Sequence, residues 1–266
     1  MKGRVLIVAG SDSGGGAGIQ ADIKTVTALG GYAMTAITAL TAQNTLGVEA
    51  IHDVPAHFVA HQMHVVLDDI GADCIKIGMM NRSDAIEAVV DVLDAMAPRI
   101  AVVVDPVMVA KGGHALLAED AGESLIQRLL PRARLLTPNI PEAEVLTGLA
   151  IRTVEDMRKA GAKLMTLGPA MVLLKGGHLP GDRLTDLLFM GAEVVTFEDR
   201  RIDTRHTHGT GCTLASAIAT GLAQGLEPLA AVTRARAYVR EAIRTAPGLG
   251  RGHGPLNHGH PVPKSW

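Results

Sequence analysis

The sequence has few aromatic residues, few cysteines and no excess of either charge. Aromatic residues make up 2% of 266 residues, and 25 Lys and Arg face 27 Asp and Glu, for a net charge of −2. Nucleic-acid-binding surfaces normally carry a basic footprint and aromatic stacking platforms, so this class is excluded. The two cysteines, Cys74 and Cys212, lie far apart without CxxC spacing. This spacing argues against a disulfide framework or a cysteine-rich zinc site, and favours a reducing compartment.

Long hydrophobic runs are also missing from the start of the chain. Its one apolar run, residues 5–9, is too short for a signal-peptide core and much too short to span a membrane. We therefore expect a soluble, cytoplasmic protein without membrane contact. Hydrophobic residues nevertheless make up 47% of the chain, enough for a full core, and its length predicts a single domain over residues 1–266.

Short apolar runs alternate with stretches of helical periodicity along most of the chain. The runs are rich in Val, Ile or Leu and cover 4–10, 34–42, 73–79, 99–109, 133–139 and 170–177. The helical stretches cover 17–29, 57–70, 83–96, 119–130 and 154–167. Strands alternating with helices predict an α/β fold of three layers, in which a mostly parallel central sheet has helices on both faces.

This alternation changes after residue 177. Two apolar runs, 184–190 and 192–198, are joined by a short turn at Gly191, which predicts an antiparallel pair. Helices over 212–223 and 228–246 follow, and the Gly-, Pro- and His-rich end predicts an irregular tail from about 247. Ligands of open α/β sheets bind at the carboxyl ends of the strands, so functional residues are expected there.

The first predicted strand ends in a dense glycine cluster, GSDSGGGAG (10–18). Residues 16–21 match the dinucleotide pattern GxGxxG/A, but no acidic residue that could bind a ribose occurs between Asp22 and Glu49. The P-loop pattern also fails, because Lys24 lacks the glycine that should precede it. The cluster is either a tight strand-to-helix turn or a loop whose backbone approaches a ligand.

Polar side chains follow several other predicted strands. Gln43 follows the second strand, where turn chemistry would also explain it. Asp105 ends a wholly apolar strand, where a carboxylate is costly unless it is solvated, paired or metal-bound. Asn139 and Glu142 follow another strand, and a helix cap would suit them equally well. Lys175 ends a further strand. An acidic pair suited to Mg²⁺, together with this lysine, indicates a nucleotide-phosphate site.

The motif THGTGCT (207–213) places a cysteine between a glycine turn and a predicted helix start. Gly209, Thr210 and Gly211 let backbone N–H groups point outward before the helix, and helix N-termini attract anions. At that position the Cys212 thiol is expected to have a lowered pKa, suited to donating to a substrate hydroxyl or deprotonating it. The alternative is a glycine turn followed by an ordinary buried cysteine.

Seven motifs, in order, carry a resemblance to a known family: AGSDSGGGAGIQADIKT, TAQNTLGV, KIGMM, DPVMVAKGG, LTPNIPEAEVLTG, LLKGGH and THGTGCTLASAIA. The chain resembles the bacterial hydroxymethylpyrimidine/phosphomethylpyrimidine kinases of thiamine biosynthesis, in the ribokinase superfamily. The resemblance covers about residues 4 to 258 and includes GHGPLNH near the end. It implies a ribokinase-like fold, a homodimer and two ATP-dependent phosphorylations. These convert 4-amino-5-hydroxymethyl-2-methylpyrimidine first to its monophosphate and then to the diphosphate.

The resemblance also implies roles for the matching residues. The pyrimidine pocket would comprise Gly10, Asp22, Gln43, Met79 and Val107. Gln43 would read the amino and nitrogen edge of the ring through paired hydrogen bonds. The Mg²⁺ and ATP side would comprise Asp105, Asn139 and Glu142, with Asp105 and Glu142 toward the metal and Lys175 toward the phosphates. The anion hole for the transferring phosphoryl group would comprise Gly209, Thr210, Gly211 and Cys212. Many sugar kinases have an aspartate base where Cys212 sits, so the cysteine is either the base or a donor.

Two stretches differ from the family pattern, and two other functions stay open. AKGGHAL (110–116) replaces an AKSGD form, and RHTH (205–208) replaces an asparagine-containing version. The loop histidines lack metal-ligand spacing. A pyridoxal or pyridoxine kinase of the same superfamily would share the phosphate machinery and differ in the ring pocket. A non-catalytic nucleotide-binding regulator would keep only the fold.

Overall fold

Nine strands form one mixed sheet in the computed structural model, which describes residues 1–108 and 121–262. The AKGGHAL motif (110–116) lies outside these residues. The strands are β1 Arg4–Asp12, β2 Tyr32–Gln43, β3 Val48–Asp53, β4 Cys74–Ile77, β5 Ala101–Val104, β6 Leu135–Leu136, β7 Met171–Leu174, β8 Arg183–Met190 and β9 Glu193–Arg200. The helices are α1 Gly18–Ala28, α2 Ala56–Asp69, α3 Ser83–Met96, α4 Ala121–Ser124, α5 Ile140–Thr147, α6 Val154–Met165, α7 Thr210–Ala223 and α8 Pro228–Arg244. Helix α4 continues as a π-helical turn, Leu125–Leu129, and a 3₁₀ turn, Leu130–Arg132.

The strand order is β3-β2-β1-β4-β5-β6-β7-β8-β9. All pairs from β2 to β7 are parallel, whereas β3 pairs antiparallel with β2 at one edge, and β8 and β9 pair antiparallel at the other. The predicted mostly parallel sheet and the predicted antiparallel pair are therefore confirmed. Strand β3 was not predicted, because its half-exposed residues form no apolar run.

The two faces of the sheet pack against different sets of helices. On β1, Leu6 and Val8 join the core beneath α2, α3, α5 and α6, while Val5 and Ile7 join the core beneath α1, α7 and α8. Because side chains alternate along a strand, a strand covered on both faces is apolar at every position. This explains the uninterrupted apolar runs in the sequence and gives the predicted three layers.

A change in pairing register shapes the end of β1. The β1–β2 pairs run in step as far as Ala9 and Ile37, and then resume at Ser11 and Leu40, so that Gly10 is left out of the ladder. Such irregularities bend a strand and are frequent beside active sites. In the described residues, no helix has the length and apolar character needed to cross a membrane.

Candidate active site

An ion pair joins two strand ends and faces the start of α7. Lys175 Nζ lies 2.9 Å from Asp105 Oδ1, and Thr137 Oγ1 donates to the same oxygen at 3.0 Å. A Cβ built on Gly211 would lie 3.2 Å from Asp105 Oδ2 and 3.3 Å from Lys175 Nζ. The ends of β5 and β7 therefore meet the first turn of α7.

Asn139 and Glu142 form a helix cap beside this ion pair. The Glu142 N–H donates to Asn139 Oδ1 at 2.9 Å, and the Asn139 N–H donates to Glu142 Oε2 at 2.8 Å, which is a capping box at the start of α5. Burial and the nearby Asp105 carboxylate raise the pKa of Glu142 to about 7, although Lys175 opposes them. The cap explanation is thus correct, and the same carboxyl group also interacts electrostatically with the Asp105–Lys175 pair.

Lys175 remains a cation in this surrounding. Burial would lower the pKa of the Lys175 ammonium, but the Asp105 and Glu142 carboxyl groups outweigh burial and raise it. A charged lysine at the open end of a sheet is suited to contact phosphate oxygens.

Gly209 fixes the turn that precedes α7. Its φ of 81° is in the left-handed region, and a Cβ on it would stand 1.8 Å from the carbonyl oxygen of Gly16. Only glycine fits where these two glycine-rich segments touch. Helix α7 begins at Thr210, so the first N–H groups of the helix lie directly beside this contact.

The Cys212 thiol differs from the sequence-based expectation. Burial raises its pKa to about 12, and the nearby Asp22 and Asp105 carboxylates also raise it, although the Lys76 ammonium opposes them. The expectation that the helix N-terminus lowers the pKa of this thiol is therefore wrong, because the effects of burial and of two acidic groups outweigh that of the helix dipole. Without ligand, the thiol keeps its proton at neutral pH and is able to donate a hydrogen bond.

Several residues assigned to the pyrimidine pocket do lie together. Met79 and Val107 share a small apolar cluster with Ala39, and a Cβ built on Gly10 would stand 2.6 Å from Met79 Cε. Gln43 ends β2, where its Oε1 accepts from a neighbouring threonine hydroxyl at 3.1 Å. The cluster and the Gln43 amide therefore both belong to the strand-end region.

Asp22 has a different place from the one expected. It is fully buried between α1, β4 and α7, where its Oδ2 lies 2.8 Å from Lys76 Nζ and its Oδ1 accepts from Ser216 Oγ at 2.7 Å. Burial would lower the pKa of Lys76, but Asp22 and other nearby acidic groups raise it, so the lysine stays charged. Asp22 thus lies beneath the strand-end region and is not exposed to a ligand there, because its carboxylate is enclosed with the Lys76 ammonium.

A second buried pair, Asp12 with His208, was not predicted. Asp12 Oδ2 lies 2.8 Å from His208 Nε2, and the carboxylate accepts from the N–H groups of Gly14, Gly16 and Ala17. Burial would raise the pKa of Asp12, but the contact with His208 and these N–H groups lower it. The Asp12 anion therefore organises the glycine cluster. An aspartate just before a glycine run is a known turn signal, whereas the distant His208 left no such signal.

The His208 ring also reaches the end of β2. Its Nε2 lies 3.4 Å from Gln43 Nε2. Across residues 1–108 and 121–262, no three His, Cys, Asp or Glu side chains converge as a metal site. The buried histidine here is paired with a carboxylate rather than grouped with the other loop histidines.

Comparison with known proteins gives the family of this chain. The family model for phosphomethylpyrimidine kinase matches residues 12–257. This chain belongs to the phosphomethylpyrimidine kinase family. The match runs from the last residue of β1 into the tail and includes α1, α5 and α7.

Individual members and neighbours are similar over nearly the whole chain. The hydroxymethylpyrimidine/phosphomethylpyrimidine kinase of Rhizobium meliloti is 50% identical over 258 residues, which cover 96% of each protein. The thiamine biosynthesis bifunctional protein ThiED of Geobacter sulfurreducens is 56% identical over 257 residues; the match covers 97% of this chain but only 52% of that protein. The pyridoxal kinase from Staphylococcus aureus, in complex with AMP-PCP and pyridoxal, matches with a TM-score of 0.89 at 35% identity, over 97% of this chain and 94% of that one. The expected ribokinase-like fold is thereby confirmed.

The buried Lys76–Asp22 pair makes a stability prediction for this kinase-family chain. Replacing Asp22→Asn leaves the enclosed ammonium without a counter-charge, so the free energy of unfolding should fall by about 3–5 kcal/mol in denaturant titration. The double variant Asp22→Asn/Lys76→Met should recover most of the loss, because it removes both charges.

The matched control is Glu198→Gln, the same carboxylate-to-amide change in an exposed pair. Glu198 lies 3.2 Å from Arg183, and both side chains are at least half exposed. Its loss should cost less than about 1 kcal/mol. Equal losses for Asp22→Asn and Glu198→Gln would contradict the assignment of a tight buried pair.

Glu142 predicts a pH dependence of stability without ligand. Its pKa is about 7 in the folded protein against 4.5 ordinarily, so the folded state holds the proton more tightly. The resulting stabilisation is complete below about pH 4.5 and is lost as the pH rises to about 7. Glu142→Gln, which can still cap α5, should remove this decline from denaturation curves measured across that range. The control Glu144→Gln, on the same helix at a partly exposed position, should leave it. An unchanged decline in Glu142→Gln would refute the assignment.

Proposed function

We propose that this protein is an ATP-dependent kinase that phosphorylates 4-amino-5-hydroxymethyl-2-methylpyrimidine and then its monophosphate, for thiamine biosynthesis. One observation carries the proposal: the Asp105–Lys175 pair faces the first turn of α7, and the apolar cluster of Met79 and Val107 beside Gly10 lies in the same strand-end region. A phosphate site beside a small apolar pocket fits transfer of a phosphoryl group to a hydroxymethyl ring. The family relationship supports the same activity.

The ring would lie against Met79 and Val107, with the Gln43 amide pairing with its polar edge. Both walls are apolar and neither carries a charge, which suits a neutral heteroaromatic ring. Asp22 has no part in this contact, because its carboxylate is enclosed with Lys76. The ring pocket we propose is therefore smaller than the one the resemblance implied.

The phosphates would lie between Lys175 and the start of α7. There the lysine ammonium and the N–H groups of the first turn of α7 would stabilise charge that develops on the transferring group. The substrate oxygen, a hydroxyl in the first reaction and a phosphate oxygen in the second, forms a bond to the γ-phosphorus as the bond to the ADP oxygen breaks. The hydroxyl proton of the first reaction passes to water. Because Cys212 holds its own proton, we assign it as a hydrogen-bond donor that positions the reacting oxygens rather than as a pre-formed thiolate base.

The donor set also fits a magnesium ion. Two carboxyl groups, Asp105 and Glu142, with phosphate oxygens are the ligands that Mg²⁺ prefers, and burial disfavours the charged form of Glu142 unless a cation is present. When bound, Mg²⁺ would neutralise phosphate charge. We propose Asp105 and Glu142 as the residues that hold it, with Asn139 keeping Glu142 in place through the α5 cap.

We further propose that residues 1–266 act as one kinase domain and that the protein forms a homodimer, as the family resemblance implied. Pyridoxal phosphorylation is the second candidate. It is favoured by the close match to a pyridoxal kinase solved with pyridoxal and AMP-PCP.

A coupled ADP-release assay decides among the substrates. With ATP and Mg²⁺, we expect turnover of hydroxymethylpyrimidine and of its monophosphate, and much weaker turnover of pyridoxal. Turnover of pyridoxal alone would refute the proposed substrate. No ADP release with any of the three would instead support a nucleotide-binding regulator.

Cys212 makes a separate prediction about the transfer step. Cys212→Ala should lower kcat by about tenfold or more, because it removes one donor near the developing charge, and should leave ATP binding by titration calorimetry unchanged. Cys212→Ser should retain more activity than Cys212→Ala, since a hydroxyl also donates. Equal kcat for the wild type and Cys212→Ala would remove the thiol from the mechanism.

A further inference from the structure

The motif GHGPLNH near the end of the sequence has no role in the proposed chemistry, yet it lies against the site. Residues 247–262 contain no helix or strand. They are nevertheless fixed: the Asn257 N–H donates to Ala242 O at 3.0 Å, and Tyr238 Oη donates to His258 O at 2.7 Å. We call residues 250–255 the tail strap.

The tail strap contacts the turn between β2 and β3 through Thr45. The His253 N–H donates to Thr45 O at 2.9 Å, and the Gly252 N–H donates to Thr45 Oγ1 at 3.2 Å. The approach is close, because a Cβ on Gly252 would stand 2.1 Å from Thr45 O and one on Gly250 would stand 2.3 Å from Thr45 Oγ1. Thr45 is two residues from Gln43, so the strap supports the turn that holds this amide.

The tail strap also holds the other neighbour of the Gln43 amide. The His208 N–H donates to Gly254 O at 3.2 Å, and His208 forms a parallel bridge with Pro255. The ring of the same histidine lies 3.4 Å from Gln43 Nε2. The strap thus fixes both the turn that follows Gln43 and the ring beside its side chain.

On the opposite side, Gln43 is held by the glycine cluster. Its N–H donates to Ser13 Oγ at 2.8 Å, and Ser13 Oγ donates to Gln43 O at 2.8 Å. These bonds fix the Gln43 backbone alone. The amide itself accepts from Thr41 Oγ1 at 3.1 Å. The strap adds to this by fixing the Thr45 turn and the backbone of His208, whose ring Asp12 also holds.

We propose that the tail strap is a specificity-determining element that positions the Gln43 amide for the ring of the substrate, through Thr45 on one side and His208 on the other. The inference rests on the proposed function, in which Gln43 reads the ring. The strap residues are positioning residues. Their effect falls on recognition of the ring, because none of their contacts described above reaches Asp105, Lys175 or Glu142.

The test compares two alanine substitutions on the same segment. Gly252→Ala places a Cβ against the Thr45 carbonyl, whereas Gly259→Ala meets no atom closer than 3.8 Å, and neither glycine has a positive φ. For Gly252→Ala we expect the KM for hydroxymethylpyrimidine to rise about tenfold, the effect of losing one or two well-placed hydrogen bonds. The KM for ATP and kcat should change by less than about twofold, and Gly259→Ala should match the wild type.

A second variant tests the same contact in case Gly252→Ala does not fold. Thr45→Ala removes the Oγ1 acceptor without crowding the strap, and should raise the KM for the ring substrate by a smaller factor, with the KM for ATP again unchanged. Equal rises in both KM values would indicate a general structural role and overturn the inference. So would a KM for the ring substrate that is the same in the wild type, Gly252→Ala and Thr45→Ala.

The substrate preference of the wild type distinguishes a failure of the proposed function from a failure of this inference. If the wild type phosphorylates pyridoxal and not hydroxymethylpyrimidine, the proposed substrate is wrong. The same comparison of KM values, made with pyridoxal, then still decides whether the strap acts on ring recognition.

Discussion

A charged pair enclosed beneath an apolar sheet is the constraint on which the site depends. Lys76 and Asp22 have no solvent exposure, so each charge requires the other at hydrogen-bond distance. Asp22 belongs to α1, Lys76 to β4, and Ser216, which donates to Asp22, to α7. The pair therefore fixes two helices against one strand. Cys212 is one helical turn before Ser216 on the same face, so the position of the thiol follows from this buried contact.

The distribution of charge is the physical basis for proposing ligands of both signs at the strand-end cluster. Asp105 and Glu142 are two acidic groups, and the Lys175 ammonium is bonded to Asp105. Phosphates alone would add further negative charge, and a metal ion alone would leave the lysine and the α7 N-terminus without an anion. The arrangement is most favourable when a cation and phosphate oxygens are bound together.

The three layers of the fold could be predicted from the sequence. Runs that are apolar at every position, as in β1 and β5, require a sheet that is covered by helices on both faces. The strand-end residues Asp105 and Lys175 could be predicted for a related reason: a charge is costly at the end of an apolar run. The enclosure of Asp22 could not be predicted, because its partner Lys76 is 54 residues away. The sequence does not show that the two side chains point into the same space. Cys212 was placed correctly, but its pKa was not, since burial and neighbouring carboxylates depend on distant segments.

The tail strap has a consequence for the order in which the protein is made. The Gln43 turn is synthesised early, but the residues that support it, 250–255, come more than two hundred positions later. During translation the nascent chain can form β1, β2 and the glycine cluster while the Gln43 turn still lacks its outer support. The contacts of this turn are thus complete only after residues 250–255 have left the ribosome.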